Sequence, residues 1–211
     1  MMKDSKTKFT KQKFQKSISK IWKMLFLLIY VVSLLGGVTA RPIQAAPVGV
    51  YLESDPSVHA QTTLDTGDLV SLDHTTGTGV DRLLLVGLSV NSNNQVVTAV
   101  SVVFTPDDTG VTPITLGQVV WREGQARRYA GIFSLLDPPS GLVGKITATF
   151  THTGTGDYAG VVIGAANFAG ADSLGTFNSN AGTAATGSVA VATPNSNELV
   201  FDTIFLGGNP P

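Results

Sequence analysis

The sequence predicts an all-β protein: an antiparallel two-sheet β-sandwich, Ig-like or jelly-roll, preceded by an N-terminal signal helix. Three observations predict it. Short apolar or alternating runs recur between turn-forming clusters, at the spacing of sandwich strands. Outside the N-terminal segment no stretch keeps a helical apolar period. The 211 residues include 23 Gly and 10 Pro but are only 14% charged, so uncharged turns carry the solubility. That length suits one domain plus a targeting segment.

The chain opens with eight lysines between Lys3 and Lys23 and continues into Met24–Leu35, apolar except for Ser33. Small residues follow through Ala40. Charge, apolar length and a small-residue exit describe a secretory signal peptide over residues 1–40, with a basic region 1–23 and an apolar region 24–38. The apolar part is short of the roughly 20 residues that a spanning helix needs. Cleavage is expected after Ala40; cuts after Ala45 or Ala46, and an uncleaved anchor, are the alternatives. Residues 41–47 read as a linker and 48–211 as the sandwich domain.

Beyond residue 40 stand six basic residues against fourteen acidic ones, a balance of −8. A basic footprint for nucleic acid is missing from that region, and membrane contact is expected only through the signal segment. With no cysteine in the chain, stability rests on the hydrophobic core, with calcium as the one cofactor considered.

The strands follow in order. Val48–Glu53 is expected to be the first, ended by Ser54-Asp55-Pro56-Ser57, and Leu69–His74 the second. Arg82–Val90 is the longest apolar run past the signal and fits a central strand. Its Leu84, Val86, Leu88 and Val90 are expected to face the core. Leu83 and Leu85 on the other face then need a cover, from a loop, from strands beyond Pro211 or from a partner. In Val96–Phe104, alternation puts Val96, Thr98, Val100, Val102 and Phe104 on one face. Ile114–Glu123 holds one or two strands, with Val119 and Trp121 on one side and Val120 and Arg122 on the other. Arg128–Leu136 follows, and Asp137-Pro138-Pro139-Ser140-Gly141 is a loop because two prolines remove two backbone donors. Lys145–Thr151 alternates cleanly, Ile146, Ala148 and Phe150 inward and Lys145, Thr147, Thr149 and Thr151 to water. Tyr158–Phe168, Thr183–Thr193 and Leu199–Leu206 complete the expected strands.

Five of these pieces, Asp81-Arg82-Leu83-Leu84-Leu85-Val86-Gly87, Leu136-Asp137-Pro138-Pro139-Ser140-Gly141, Phe168-Ala169-Gly170-Ala171-Asp172, Leu174-Gly175-Thr176-Phe177 and Glu198-Leu199-Val200-Phe201-Asp202, together resemble a module that recurs in large secreted bacterial proteins of unassigned function. The resemblance spans about residues 60–208. It implies a β-sandwich on an exported or surface protein and carries no catalytic residues. Two departures stand out: Thr105-Pro106-Asp107-Asp108 replaces a glycine-rich turn, and the module usually continues past the last strand. The second departure gives the expectation that the domain is incomplete at its C-terminus.

Chemistry is sparse. His59, His74 and His152 form no metal-ligand spacing, and no Gly-x-Ser-x-Gly elbow exposes a serine. A hydrolase would require His74 or His152 to be bonded to both a serine and a carboxylate. Asp65, Asp68, Asp107 and Asp108 lie in turns and are the candidate calcium ligands, although aspartate in a turn also caps its own backbone. Trp121, Arg122 and Tyr129 are the candidate ligand-binding residues, since an exposed aromatic beside arginine suits a sugar ring; a lone tryptophan in a sandwich is otherwise core. The reading is an exported non-enzymatic module with a structural, adhesive or matrix role. Its expected partners are polysaccharide or other surface proteins. A carbohydrate-binding module is the alternative and a secreted hydrolase a distant one.

Overall fold

The computed structural model describes residues 49–64, 67–154, 158–182, 188–193 and 198–205. The signal segment, the linker up to Pro47 and Asp65 lie outside the described residues. Among the described residues ten strands run in chain order: β1 Tyr51–Leu52, β2 Ser57–Gln61, β3 Leu69–Thr75, β4 Leu83–Asn91, β5 Val96–Pro106, β6 Ile114–Thr115, β7 Gly117–Glu123, β8 Arg128–Leu136, β9 Val143–Thr153 and β10 Gly160–Ala169. Among the described residues the one helical element is a 3-10 turn, Gln125–Arg127. No helix among them is long and apolar enough to cross a membrane.

The strands form two antiparallel sheets. One runs β10-β4-β8-β7, with β1 and β2 paired in succession along the far edge of β10. The other runs β3-β9-β5-β6. The pairing is nested: β2 meets β10, β3 meets β9, β4 meets β8 and β5 meets β6. One core cluster draws on both sheets. Leu84, Val86, Leu88 and Val90 of β4 pack there with Val161 and Ile163 of β10, Tyr129 and Phe133 of β8, Phe104 of β5 and Ile146 of β9. Each side chain of this kind stabilises the fold by about 1.5–3 kcal/mol when fully buried.

Where alternation is unbroken the sequence reading holds. In β9, Ile146, Ala148 and Phe150 are buried while Lys145, Thr149 and Thr151 face water. In β5 it fails at a bulge. Val97 pairs with His152 and Ala99 with Thr151, so Thr98 is an extra residue. The core stripe is therefore Val97, Val100, Val102 and Phe104, not Val96 and Thr98, because one inserted residue shifts every side chain before it by half a period. A second bulge lies between Gln118 and Val120 in β7. Ser57 was expected in a turn and instead starts β2. In 188–193 and 198–205, the described parts of the last two expected strands, no sheet pairing forms.

The loops at the Leu83 end are tied by hydrogen bonds. Arg82 donates from Nε to the Pro138 carbonyl and from Nη1 to the Gly79 carbonyl, both at 2.8 Å. Thr76 Oγ1 accepts from Leu142 N at 2.9 Å and donates to the Pro139 carbonyl. The two prolines have no N–H of their own, so their carbonyls anchor the loop through these partners.

Candidate functional site

The β7–β8 hairpin carries the three residues expected to bind ligand, and register decides which way each faces. Trp121 lies opposite Gly131 and Arg122 opposite Ala130, while Tyr129 pairs with Val90 on the core side. Trp121 and Tyr129 therefore point inward, and their rings stack at 5.4 Å with an interplanar angle of 12°. Gly131 makes room for this: a Cβ there would overlap Trp121 Cε3. Tyr129 is buried, and its hydroxyl accepts the Val97 N–H at 3.2 Å beside the β5 bulge. Trp121 is half-buried against the core. Arg122 points the other way, into solvent. The three residues are neighbours, but the strand separates aromatics from guanidinium.

The outer face of the β4 sheet is divided in two. Around its first half, Leu83, Leu85, Ala166, Phe168 and Ala171 form a second apolar cluster with Val50, Ile132 and Phe201. Leu83 and Leu85 are only 6% and 7% exposed. Their cover is the extended segment 198–205, a loop of this chain as one of the three expected covers. Phe201 meets Phe168 edge-on at 6.1 Å, and Thr203 Oγ1 reaches the Leu88 carbonyl at 3.4 Å. The segment crosses at Gly87, where Thr203 lies so close that a Cβ would stand 3.3 Å from it. Between segment and sheet remains a mainly apolar pocket of about 180 Å³, bounded by Leu83, Leu85, Ile132, Phe168, Leu174 and Phe201. A hairpin-like pair of extended stretches borders it: Thr176, Asn178 and Asn180 donate side-chain hydrogen bonds to the carbonyls of Ala192, Ala190 and Ser188.

His74 is the buried histidine among the described residues. Ser57 lies 3.1 Å from its Nδ1, and Asn167 Oδ1 lies 3.1 Å from its Nε2. Asn167 Nδ2 donates to the Thr75 carbonyl at 2.7 Å, so its oxygen faces the histidine. That assigns the proton to Nε2, and Nδ1 accepts from the serine hydroxyl. Burial lowers the His74 pKa, and the Asn167 hydrogen bond opposes that in part. The arrangement joins β2 and β10 of one sheet to β3 of the other. It links histidine to a serine and an amide, not to a serine and a carboxylate. Nothing in the sequence pointed to it, since the three residues are 17 and 93 positions apart.

The candidate calcium ligands are dispersed. Asp68 precedes β3 beside Thr149 and Phe150, whereas Asp107 follows β5 beside Val143 and Gly144. Six residues of β9 separate the two ends, about 20 Å at 3.3 Å per residue. Asp68 faces His152 Nε2 at 3.3 Å, and Asp108 caps its own turn by accepting from Gly110 N at 2.9 Å. Among the described residues no group of three or more His, Asp or Glu side chains is arranged to hold a metal. No family model, no curated protein and no solved structure matches this chain.

Proposed function

We propose that the chain is an exported, non-enzymatic jelly-roll module with a structural, adhesive or matrix-associated role. The nested pairing of first strand with last, second with next to last, and so on inward, supports the jelly-roll subtype over the Ig-like one. The observation that carries the role is where the polar side chains go. His74, Ser57, Asn167, Thr76 and Arg82 are engaged in ties between sheets and loops, while the described pocket is walled mainly by apolar groups. Such a body presents surfaces rather than a reactive centre. The lysine-rich start and apolar run of the first 40 residues support export.

Two measurements test this reading. Expressed at full length in a bacterial host, the protein is expected outside the cytoplasm and associated with the cell surface; wholly cytoplasmic recovery refutes export. Treatment with a fluorophosphonate probe is expected to leave Ser57 unlabelled. Stoichiometric labelling at Ser57 would show that His74 activates it, and the non-enzymatic reading would fall.

A further inference from the structure

We infer that the open half of the outer face of the β4 sheet, centred on Arg122 and Arg128, is a docking surface for an anionic, carboxylate-bearing polysaccharide. The inference rests on the adhesive reading above and names its partner.

The surface follows from register. Arg122 lies opposite Ala130, and Arg128 stands two positions before Ala130 on β8, opposite Asn91 of β4. The two arginines are diagonal neighbours on the solvent side, about 7 Å apart at that spacing. The positions beside them on the same face are Ala130, Ser89, Asn91 and Gly160, bordered by Val120 and Val162, and none is acidic. The apolar segment that covers Leu83 and Leu85 crosses at Gly87, short of this area. A cationic surface with an apolar margin is left.

Charge singles it out. Residues 41–211 carry only six basic side chains against fourteen acidic ones. Arg82 is used internally by the Pro138 and Gly79 carbonyls, Lys145 faces Asp73 at 3.1 Å, and Arg127 is ion-paired with Glu123. Arg41 is outside the described residues. Arg122 and Arg128 make no ion pair among the described residues, and Arg128 donates only to the Ala126 carbonyl of its own turn. Two guanidinium groups without carboxylate partners among the described residues, side by side in an acidic domain, complement an anion that those residues do not supply. Guanidinium binds carboxylates through paired N–H donors, which favours uronate-type sugars over neutral ones. The acidic remainder of the domain acts against a polyanion at long range, but at physiological salt that repulsion fades beyond about 8 Å. Stacking of an aromatic on a sugar ring is not the mode, because Trp121 and Tyr129 face the core.

The test is affinity electrophoresis of the full-length protein in gels containing alginate, a polyuronate, with neutral dextran as the comparison. Alginate is expected to retard the protein and dextran to leave it unaffected, with the retardation falling as salt rises. The Arg122→Gln/Arg128→Gln double variant, with its thermal midpoint unchanged, is expected to bind alginate at least about tenfold more weakly. Lys145→Gln, on the wet face of the other sheet, is expected to bind as the parent does. Absence of retardation by alginate, or equal loss in Lys145→Gln, overturns the proposal. So does binding to phosphatidylserine vesicles with none to alginate. Cell-surface association measured in parallel separates the two levels: alginate binding absent with surface association intact sinks this inference alone, and loss of both in the parent protein sinks the adhesive reading as well.

Discussion

Replacing Gly131 by alanine tests whether Trp121 belongs to the core, and the structure sets the size of the effect. The added Cβ would overlap Trp121 Cε3 and stand 3.0 Å from both Cζ3 and the Val120 carbonyl oxygen. The carbonyl belongs to the neighbouring strand and cannot yield, so the indole must swing outward, off Tyr129. Losing the stacked pair costs about 0.5–1.5 kcal/mol and strain in a packed region about 1–3 kcal/mol. Alanine returns about 0.4–1 kcal/mol by restricting the unfolded chain. A net loss of about 2 kcal/mol is expected, which for a domain of this length lowers the thermal midpoint by about 4–8 °C. Trp121 is the only tryptophan past the signal segment, so fluorescence of the processed protein reads its surroundings directly. The variant is expected to unfold earlier in urea and to emit at longer wavelength when folded. An unchanged midpoint with an unchanged emission maximum would refute the packing assigned to Trp121.

Three further outcomes follow from particular contacts. Burial holds His74 neutral in the fold, below its ordinary pKa of 6.5, so the unfolded chain binds the proton first. Stability is full above pH 6.5 and is lost as pH falls below it; urea midpoints across that range should decline in the parent and less steeply in His74→Gln. Tyr158 is pushed up to about 12, mainly by burial, and its hydroxyl has no partner among the described residues. Its contribution is present below pH 10 and is lost between pH 10 and about 12, and Tyr158→Phe should remove that alkaline loss without destabilising the protein at neutral pH. Phe201→Ala should loosen the segment over Leu83 and Leu85, seen as faster limited proteolysis within residues 174–205 while the remainder resists; equal cleavage in parent and variant would show that Phe201 does not hold the segment.

How much was legible depended on whether period two ran unbroken. Arg128–Leu136 was bounded from sequence as it stands in the structure, and the inward and outward sets of β9 were read correctly, because nothing interrupts either strand. Both faces of β4 were read correctly too: four side chains meet the core and Leu83 and Leu85 are covered by chain. Bulges defeated the same rule. Thr98 and the Gln118–Val120 irregularity each insert a residue without a compositional mark, so Val96 and Val119 were given the wrong face. β2 was missed because Ser57-Val58-His59-Ala60-Gln61 is a polar edge strand that follows a proline turn. The candidate ligand-binding residues were found as neighbours, yet their opposite orientations need the pairing with β8. The His74 tie needs three strands at once, and no local pattern encodes it.

The nested pairing has a consequence for the order in which the molecule can form. Apart from the local β5–β6 and β7–β8 pairs, every ladder among the described residues joins an early segment to a late one, so loops of tens of residues must close before either sheet is complete. β10 is the extreme case, since β1, β2 and one side of β4 all wait for Gly160–Ala169. The β5–β6 and β7–β8 pairs can form early, whereas the edge that takes β1 and β2 can fill only once β10 has been made, and long-range pairing of this kind favours slow folding.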